Sequence, residues 1–358
     1  MKICYIADSA SIHVIEWLKY FAQLGYLVTV ISDSDAIIEG IRTYHIGDCL
    51  DNYHIPLITA LRQIRRKAKK IRQLLKVIQP DLIHAHYATN NGFLAALTEF
   101  HPFILTCHGS DILVDLEKNL SESFFVKYAL KKADLITLPS QPMADIVLSL
   151  GIPSQKIKIL QYGIDTDKFS FQTKAQEPIR LVSTRRLLKK YRIDVLIDAA
   201  LIVLGQFPEL KFNIVGDGSE KELLKNKVID NNQQDAIHFY GDVSHTEINQ
   251  FYQNAHLYVT TSPTDGLSIS LLEALACGCY PIVPDNSSNS TLFHLGFKLS
   301  LFQTNNANDL AEKIISAVLN PNQFEKDIAV NRRLIELNYS RKIAFTKVES
   351  LYKEFDHE

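Results

Sequence analysis

Residues 261–285 read TSPTDGLSISLLEALACGCYPIVPD. Pro263, Thr264, Asp265 and Gly266 carry turn chemistry, and a helix is expected to open near Ser268 and to stop at Gly278. An apolar strand then follows at 281–283. Loop, helix start and small-residue stop in this succession suit a phosphate-handling turn, because a helix N-terminus offers unpaired N–H donors and partial positive charge. Asp265 falls on the loop and Glu273 inside the helix, with seven residues between them. The two carboxylates can therefore face one ligand from different heights.

Outward from this stretch, short apolar runs alternate with amphipathic helical segments, which is the pattern of parallel sheets covered by helices on both faces. In the first half strands are expected at 3–7, 27–31, 82–85, 103–107 and 135–138, with helices at 14–24, 58–78, 91–100, 121–132 and 142–150. The alternation then restarts, with strands at 179–183, 211–215, 237–240, 257–259 and 281–283 and helices at 194–204, 220–228, 246–254, 269–276 and 308–319. Two helices close the chain at 323–337 and 341–355. The fold class is α/β, with two doubly wound units in tandem. Apolar periodicity lapses between Gly163 and Pro178, where the joint is expected. Residues 1–165 form the first domain, joined by the C-terminal helix 340–358, and residues 166–339 form the second. Ligands of open α/β sheets sit at the carboxyl ends of strands, which selects residues 8–13, 84–87 and 108–111 in the first domain.

A length of 358 residues exceeds what one core usually supports, so two domains are the default. With 46% hydrophobic and 22% charged residues the chain is globular, and a net charge of −2 gives no general case for nucleic acid. The five cysteines, Cys4, Cys49, Cys107, Cys277 and Cys279, lie mostly in apolar runs and read as reduced, buried thiols of the cytosol. Cys277 and Cys279 lack the partner pair that a metal site needs. The opening MKICYIA is too short for a signal peptide, and no run of about 18 apolar residues is present. The expected location is cytoplasmic, in solution or on a surface.

One charge feature stands out. Arg62, Arg65, Arg66, Lys67, Lys69, Lys70, Arg72 and Lys76 occur without an acid among them, while Leu61, Ile64, Ala68, Ile71, Leu75 and Ile78 recur at helical spacing. Two readings stay open: a solvated helix face packed on its sheet, or a patch drawn to the anionic lipid of a membrane's inner face.

Further motifs fall in order along the chain: HGSD at 108–111, YGID at 162–165, STRRL at 183–187, VGDG at 215–218 and FYGDV at 239–243. With the acid-x7-acid stretch at Asp265 and Glu273, they resemble the retaining glycosyltransferases of family four over nearly the whole chain. The resemblance implies the GT-B fold, two facing Rossmann-like domains with a cleft between them. It implies transfer of a sugar from a nucleotide sugar, with same-face attack, the leaving phosphate taking the acceptor proton, and no metal or cofactor beyond the donor. UDP is the favoured nucleotide, and a glycan or lipid-linked acceptor fits the basic helix and cytosolic composition.

Residue by residue, the resemblance places Glu273 on the ribose. Independently, a carboxylate early in a helix is held ionised by the dipole and can accept two hydroxyls. Its neighbours Leu271, Leu272, Ala274 and Leu275 are apolar and leave it little polar company. Asp265 stands where the family usually carries glutamate near the transferred sugar, although an Asp-Gly pair also serves as a plain turn. Gly266, Leu267 and Ser268 would present backbone N–H groups to sugar and diphosphate. Arg186 matches the diphosphate arginine. The family's lysine five residues on is replaced by Tyr191, which leaves Lys190 to supply the second cation or Arg186 to act alone with the Tyr191 hydroxyl as donor, and Arg185 is a competing candidate. His108 matches the histidine that touches the donor sugar, and a histidine satisfied by backbone is the plainer alternative. Asp111 can cap the next turn as readily as touch ligand. Gly216, Asp217, Tyr240 and Val243 match the nucleobase loops, which can equally be tight strand-to-helix turns. The family's Gly-Gly pair after the first strand is absent, and residues 8–13 read DSASIH. Two rivals share the architecture: a nucleotide-sugar 2-epimerase, and a binding protein that has lost turnover.

Overall fold

The computed structural model describes residues 1–47, 57–174 and 178–356. It divides into two units, Met1–Tyr162 with Phe345–Glu358, and Gly163–Ala344. In the first unit seven strands, Lys2–Ile6 (β1), Leu27–Ser32 (β2), Arg42–His45 (β3), Leu82–His86 (β4), Phe103–Thr106 (β5), Leu135–Leu138 (β6) and Ile157–Ile159 (β7), make one sheet in the order β3-β2-β1-β4-β5-β6-β7. All pairings are parallel; Ile3 of β1 stands level with Val28 of β2 and Leu82 of β4. Helices cover both faces, so β4, β5 and β6 are buried at every residue, and β5 and β6 read as nearly continuous apolar runs while β4 carries two buried histidines.

The second unit repeats the plan with Arg180–Ser183 (β8), Lys211–Val215 (β9), Ile237–Gly241 (β10), Leu257–Val259 (β11), Tyr280–Pro284 (β12) and Ser300–Phe302 (β13) in the order β10-β9-β8-β11-β12-β13. In each sheet the winding reverses once, between β1 and β4 and between β8 and β11. A doubly wound sheet opens its ligand crevice outside the carboxyl ends at this switch point. The loops after β1, β4, β8 and β11 are therefore the places to look for chemistry.

Three strands were not foreseen from the sequence, β3 (RTYH), β7 (IKI) and β13 (SLF), and each lies at a sheet edge. An edge strand needs no apolar surface on both faces, so its signal is weak. The helix expected at 91–100 is also corrected. A π-helical turn, Ala88–Gly92, comes first, and a single turn, Phe93–Ala96, follows it. Tyr87 sits at φ 74°, the Gly92 amide donates to its carbonyl at 2.7 Å, and Asn91 donates to the His86 carbonyl at 3.1 Å. These bonds wind the turn more widely than an α-helix. Short helices at Ser110–Leu113, Asp115–Lys118 and Ser287–His294 are additional.

The chain leaves the first unit after Tyr162 and re-enters it at Phe345. Both crossing segments are tied within the second unit, where the Ile164 amide donates to Tyr339 at 2.8 Å and the Arg341 amide to Ile164 at 2.7 Å. The end of the C-terminal helix, Arg341–Lys353, then packs in the first unit. Phe345 lies against Trp17 and Tyr20, with ring centroids 5.2 and 4.6 Å away. Tyr352 is fully buried, and its hydroxyl meets Nδ1 of His84 at 2.6 Å, the Tyr5 hydroxyl at 2.9 Å and Nε1 of Trp17 at 3.1 Å.

The basic helix runs Leu57–Ile78. Ile64, Ala68, Ile71 and Leu75 are buried in the first unit's core, and Arg62, Arg65, Arg66, Lys69, Lys70, Arg72 and Lys76 are exposed. Lys67 departs from the expected face: it is buried, with Nζ 3.9 Å from Asp33. Arg72, though exposed, donates to the Leu97 carbonyl. Cys4, Cys107, Cys277 and Cys279 are free and buried, while Cys49 lies outside the described residues. Among the described residues no helix is long and apolar enough to cross a membrane.

Candidate active site

In the second unit the turn after β11 leads into the helix Ile269–Ala276, capped by Ser268, whose Oγ accepts the Leu271 amide at 3.2 Å. The amides of Leu267, Ser268, Ile269 and Ser270 have no acceptor among the described residues. That leaves an open, positively polarised helix start. Arg185, from the loop after β8, reaches across the switch point to this turn. Its Nη2 lies 2.5 Å from Asp265 and 2.6 Å from Ser268 Oγ, and its Nε lies 3.3 Å from Thr260 Oγ1. Burial pushes the Asp265 carboxyl up, and Arg185 offsets only part of that rise. Burial works against the Arg185 guanidinium most strongly, but Asp265 together with the Tyr258, Tyr191 and Tyr252 side chains outweighs it and holds the group above its ordinary value.

Glu273, in the second turn of the helix, is 5% exposed and well supplied with polar neighbours, contrary to the expectation from its apolar flanks. They come from other elements. Nε2 of His245 lies 3.0 Å from Oε1, and the Tyr252 hydroxyl donates to Oε2 at 3.2 Å. Nδ1 of His245 lies 2.8 Å from Nζ of Lys168. An ammonium only donates, so Nδ1 must accept and the ring proton sits on Nε2, pointing at Glu273. Tyr252 also shares its hydroxyl with Thr184 Oγ1 at 2.7 Å. Two donors leave the carboxylate with unused lone pairs, enough for a vicinal diol.

The neighbouring loops close against one another. The Leu187 amide donates to Asp217 at 2.9 Å, the Glu220 amide to Leu187 at 2.9 Å, and the Gly216 amide to Gly241 at 2.8 Å. A Cβ on Gly216, at φ 135°, would overlap the Arg185 carbonyl, and one on Gly218 would overlap the Leu187 carbonyl. The close approach these glycines permit is thus to the loop after β8. Asp217 pairs with Lys221 and is held below the usual carboxylate range by that hydrogen bond. Tyr240 is half-exposed with its ring edge-on to Phe251, and Val243 packs beside the core that contains Tyr252.

In the first unit the switch point gathers imidazoles. His84 and His86 end β4, and His108 follows β5. Nδ1 of His86 lies 3.2 Å from Nε2 of His108, and His84 bonds Thr106 Oγ1 through Nε2 at 2.6 Å. Tyr87 stacks on His108 at 4.3 Å, and Tyr162 tilts over it at 4.8 Å. Burial and then the neighbouring rings depress all three histidines, His86 to about 3. They are neutral at physiological pH. Asp111 is fully buried and accepts the amides of Ala88, His108 and Gly109, so it holds the His108 loop in place. Ser9, in the loop after β1, spends its hydroxyl on the Ala36 carbonyl at 2.9 Å.

The two units also match two family models in tandem. One, described as Glycosyl transferases group 1, covers residues 165–334, and the other, described as Glycosyl transferase 4-like, covers residues 2–140. The chain belongs to the glycosyltransferases. It is similar to an uncharacterized glycosyltransferase of Methanocaldococcus jannaschii, with 27% identity over 76% of this chain and 75% of that protein. A putative teichuronic acid biosynthesis glycosyltransferase of Bacillus subtilis, TuaC, is 29% identical over 70% of this chain and 65% of its own length. Among solved structures, Anabaena HepE in complex with UDP superposes with a TM-score of 0.81 at 16% identity, covering 99% of this chain and 100% of that one. The glycosyltransferase thus has the GT-B fold.

Within this glycosyltransferase the structure brings Asp265, Ser268 and Glu273 to one helix end, with Gly266 buried and its carbonyl accepting from Ser288 at 2.7 Å. Leu267 is half-buried beside the same core. Of the two adjacent arginines, Arg185 turns into the site and Arg186 is exposed. Lys190 is exposed too, with Nζ 5.0 Å from the Tyr191 ring. His245, Tyr252 and Lys168 were missed in the sequence. A signal for His245 existed: the S-x-x-E spacing of Ser244 and Glu247, where Oε2 accepts the Ser244 amide at 3.3 Å and its hydroxyl at 2.6 Å, marks the chain reversal carrying it.

Proposed function

We propose that this glycosyltransferase moves a sugar from a nucleotide diphosphate donor, preferably a UDP-sugar, to a hydroxyl acceptor with retention of configuration. One observation carries the reading. A single helix offers open amides and hydroxyls at its capped start and a buried, donor-oriented carboxylate, Glu273, five residues beyond Ser268. That spacing is about 7.5 Å of helical rise, the scale on which a diphosphate and the hydroxyls of its ribose are separated. The complexes of HepE with UDP and with UDP-glucose support the same donor class.

Developing charge on the leaving diphosphate would be neutralised by the helix start and by Arg186 and Lys190 on the loop after β8, with the phosphate itself taking the acceptor proton. Gly216, Asp217, Tyr240 and Val243 would flank the base, and His108, held neutral, would touch the sugar. No metal has a part in this proposal. The teichuronic acid assignment of TuaC supports a surface-glycan or lipid-linked acceptor. The exposed basic face of the helix Leu57–Ile78 would then rest on anionic lipid at the inner face of a membrane. Replacing Arg65, Arg66, Lys69 and Lys70 by Gln should abolish sedimentation with phosphatidylglycerol vesicles.

The direct test is thermal shift against UDP-, GDP- and ADP-sugars, since a ligand of the folded state alone raises apparent stability. A shift with a UDP-sugar, followed by transfer to an acceptor hydroxyl, is expected. No shift with any donor would refute the reading, and donor epimerised at C2 without acceptor would replace it by the epimerase.

A further inference from the structure

Arg185 occupies an electrostatically uneasy position. A cation over a helix N-terminus is disfavoured by the dipole, yet its guanidinium bonds the capping Ser268 at 2.6 Å. What holds it there is Asp265, 2.5 Å away, with the Tyr191 ring 5.6 Å from its carbon. The backbone beneath is held on both sides, because the Arg185 carbonyl abuts Gly216 and the Leu187 amide is bound to the Asp217 carbonyl. Nη1, one full side of the fork, makes no hydrogen bond among the described residues. The side chain is nonetheless only 13% exposed. A planar fork of this kind is suited to bidentate binding of phosphate oxygens.

We infer that Arg185 binds the donor's diphosphate and that Asp265 competes with the diphosphate for it, the carboxylate standing where a phosphate oxygen goes. The inference rests on the nucleotide-sugar reading and assigns to it a residue and a competition. The diphosphate would satisfy cation and helix start together. Asp265, released from the guanidinium, would be free to accept a sugar hydroxyl. In this chain Tyr191 carries no charge, and Arg185, packed over its ring, supplies the second cation from the other side of the loop.

A double-mutant cycle tests this, with affinities for inorganic pyrophosphate and for UDP measured by calorimetry on the full chain. Asp265→Asn should tighten both ligands about tenfold, and Arg185→Met should weaken both by about ten- to a hundredfold, the range expected when a charge-assisted hydrogen bond is gained or lost. In the Arg185→Met background Asp265→Asn should change affinity by less than about threefold. If Asp265→Asn tightens binding equally in both backgrounds, only bulk charge is at work and the inference is wrong. It is also wrong if Asp265→Asn leaves affinity unchanged or weakens it. Should Arg185→Met fail to fold, Arg185→Lys, which keeps the charge and loses the fork, closes the same cycle with a smaller coupling. Wild-type binding of UDP without coupling overturns the inference alone. Binding of neither ligand to any variant overturns the nucleotide-sugar reading with it.

Discussion

Replacing Tyr352 by Phe removes one oxygen from the point where the C-terminal helix is fastened to the first unit. The hydroxyl is fully buried and serves His84 at 2.6 Å, Tyr5 at 2.9 Å and Trp17 at 3.1 Å. Indole Nε1 can only donate, so Trp17 loses its acceptor outright, at a cost of about 1–3 kcal/mol for a buried unsatisfied group. His84 and Tyr5, stacked with centroids 5.4 Å apart, also lose a partner but lie close enough to recover part of that loss in each other. The sum is about 3 kcal/mol. For a unit of this size about 2–4 °C accompanies each kcal/mol, so Tm should fall by about 6–12 °C. Trp17 is the sole tryptophan of the chain, and its emission therefore reports the melting of the first unit. Tyr5→Phe is the control: it leaves the Tyr352 hydroxyl bonded to His84 and Trp17, and should cost about 1 kcal/mol or less. A Tyr352→Phe protein melting within about 2 °C of wild type, or Tyr5→Phe costing as much, would refute the fastening.

Acid should weaken the same unit. His84, His86 and His108 are depressed below their ordinary value in the folded state, so below about pH 6.5 the unfolded chain binds their protons first. Their stabilising contribution is full above that pH and is lost progressively down to the folded values, near 3 for His86, at about 1.4 kcal/mol per pH unit for each ring. Asp111, raised by burial, takes up its proton in the folded state first and opposes this loss only at lower pH. Urea midpoints from Trp17 emission at pH 7.5 and 5.5 should differ clearly, and equal midpoints would contradict the neutral cluster. In the second unit Gly216→Ala places a Cβ on the Arg185 carbonyl at a strained φ of 135°. It should destabilise by about 2 kcal/mol or more and weaken pyrophosphate binding, whereas a stable variant with unchanged affinity would show that the loops pack otherwise.

The two sheets were legible because their inner strands are buried on both faces and leave continuous apolar runs, as in FILT and LITL. The edge strand RTYH carries no such run, and its pairing depends on β2 rather than on its own composition. Local chemistry also placed Ser268 and Glu273, since a cap and a helical period lie within a few residues. The partners of Glu273 could not be read this way, because His245 and Tyr252 are 28 and 21 residues distant in sequence. Nor could the choice between Arg185 and Arg186. Which of two adjacent side chains turns inward depends on how the loop after β8 is held, with Gly216 against the Arg185 carbonyl and Gly218 against that of Leu187, contacts made by the loop after β9.

Everything proposed for the donor converges on Glu273, and calorimetry of UDP with wild type and Glu273→Gln is the most direct measurement. The amide conserves shape and can still accept from His245, so the fold should hold. Two charge-assisted hydrogen bonds to a ribose diol, about 1.5–3 kcal/mol each, are weakened together. UDP should bind wild type, and its affinity should fall by about a hundredfold or more in the variant, while pyrophosphate affinity stays the same. UDP binding to Glu273→Gln within about threefold of wild type would contradict the account.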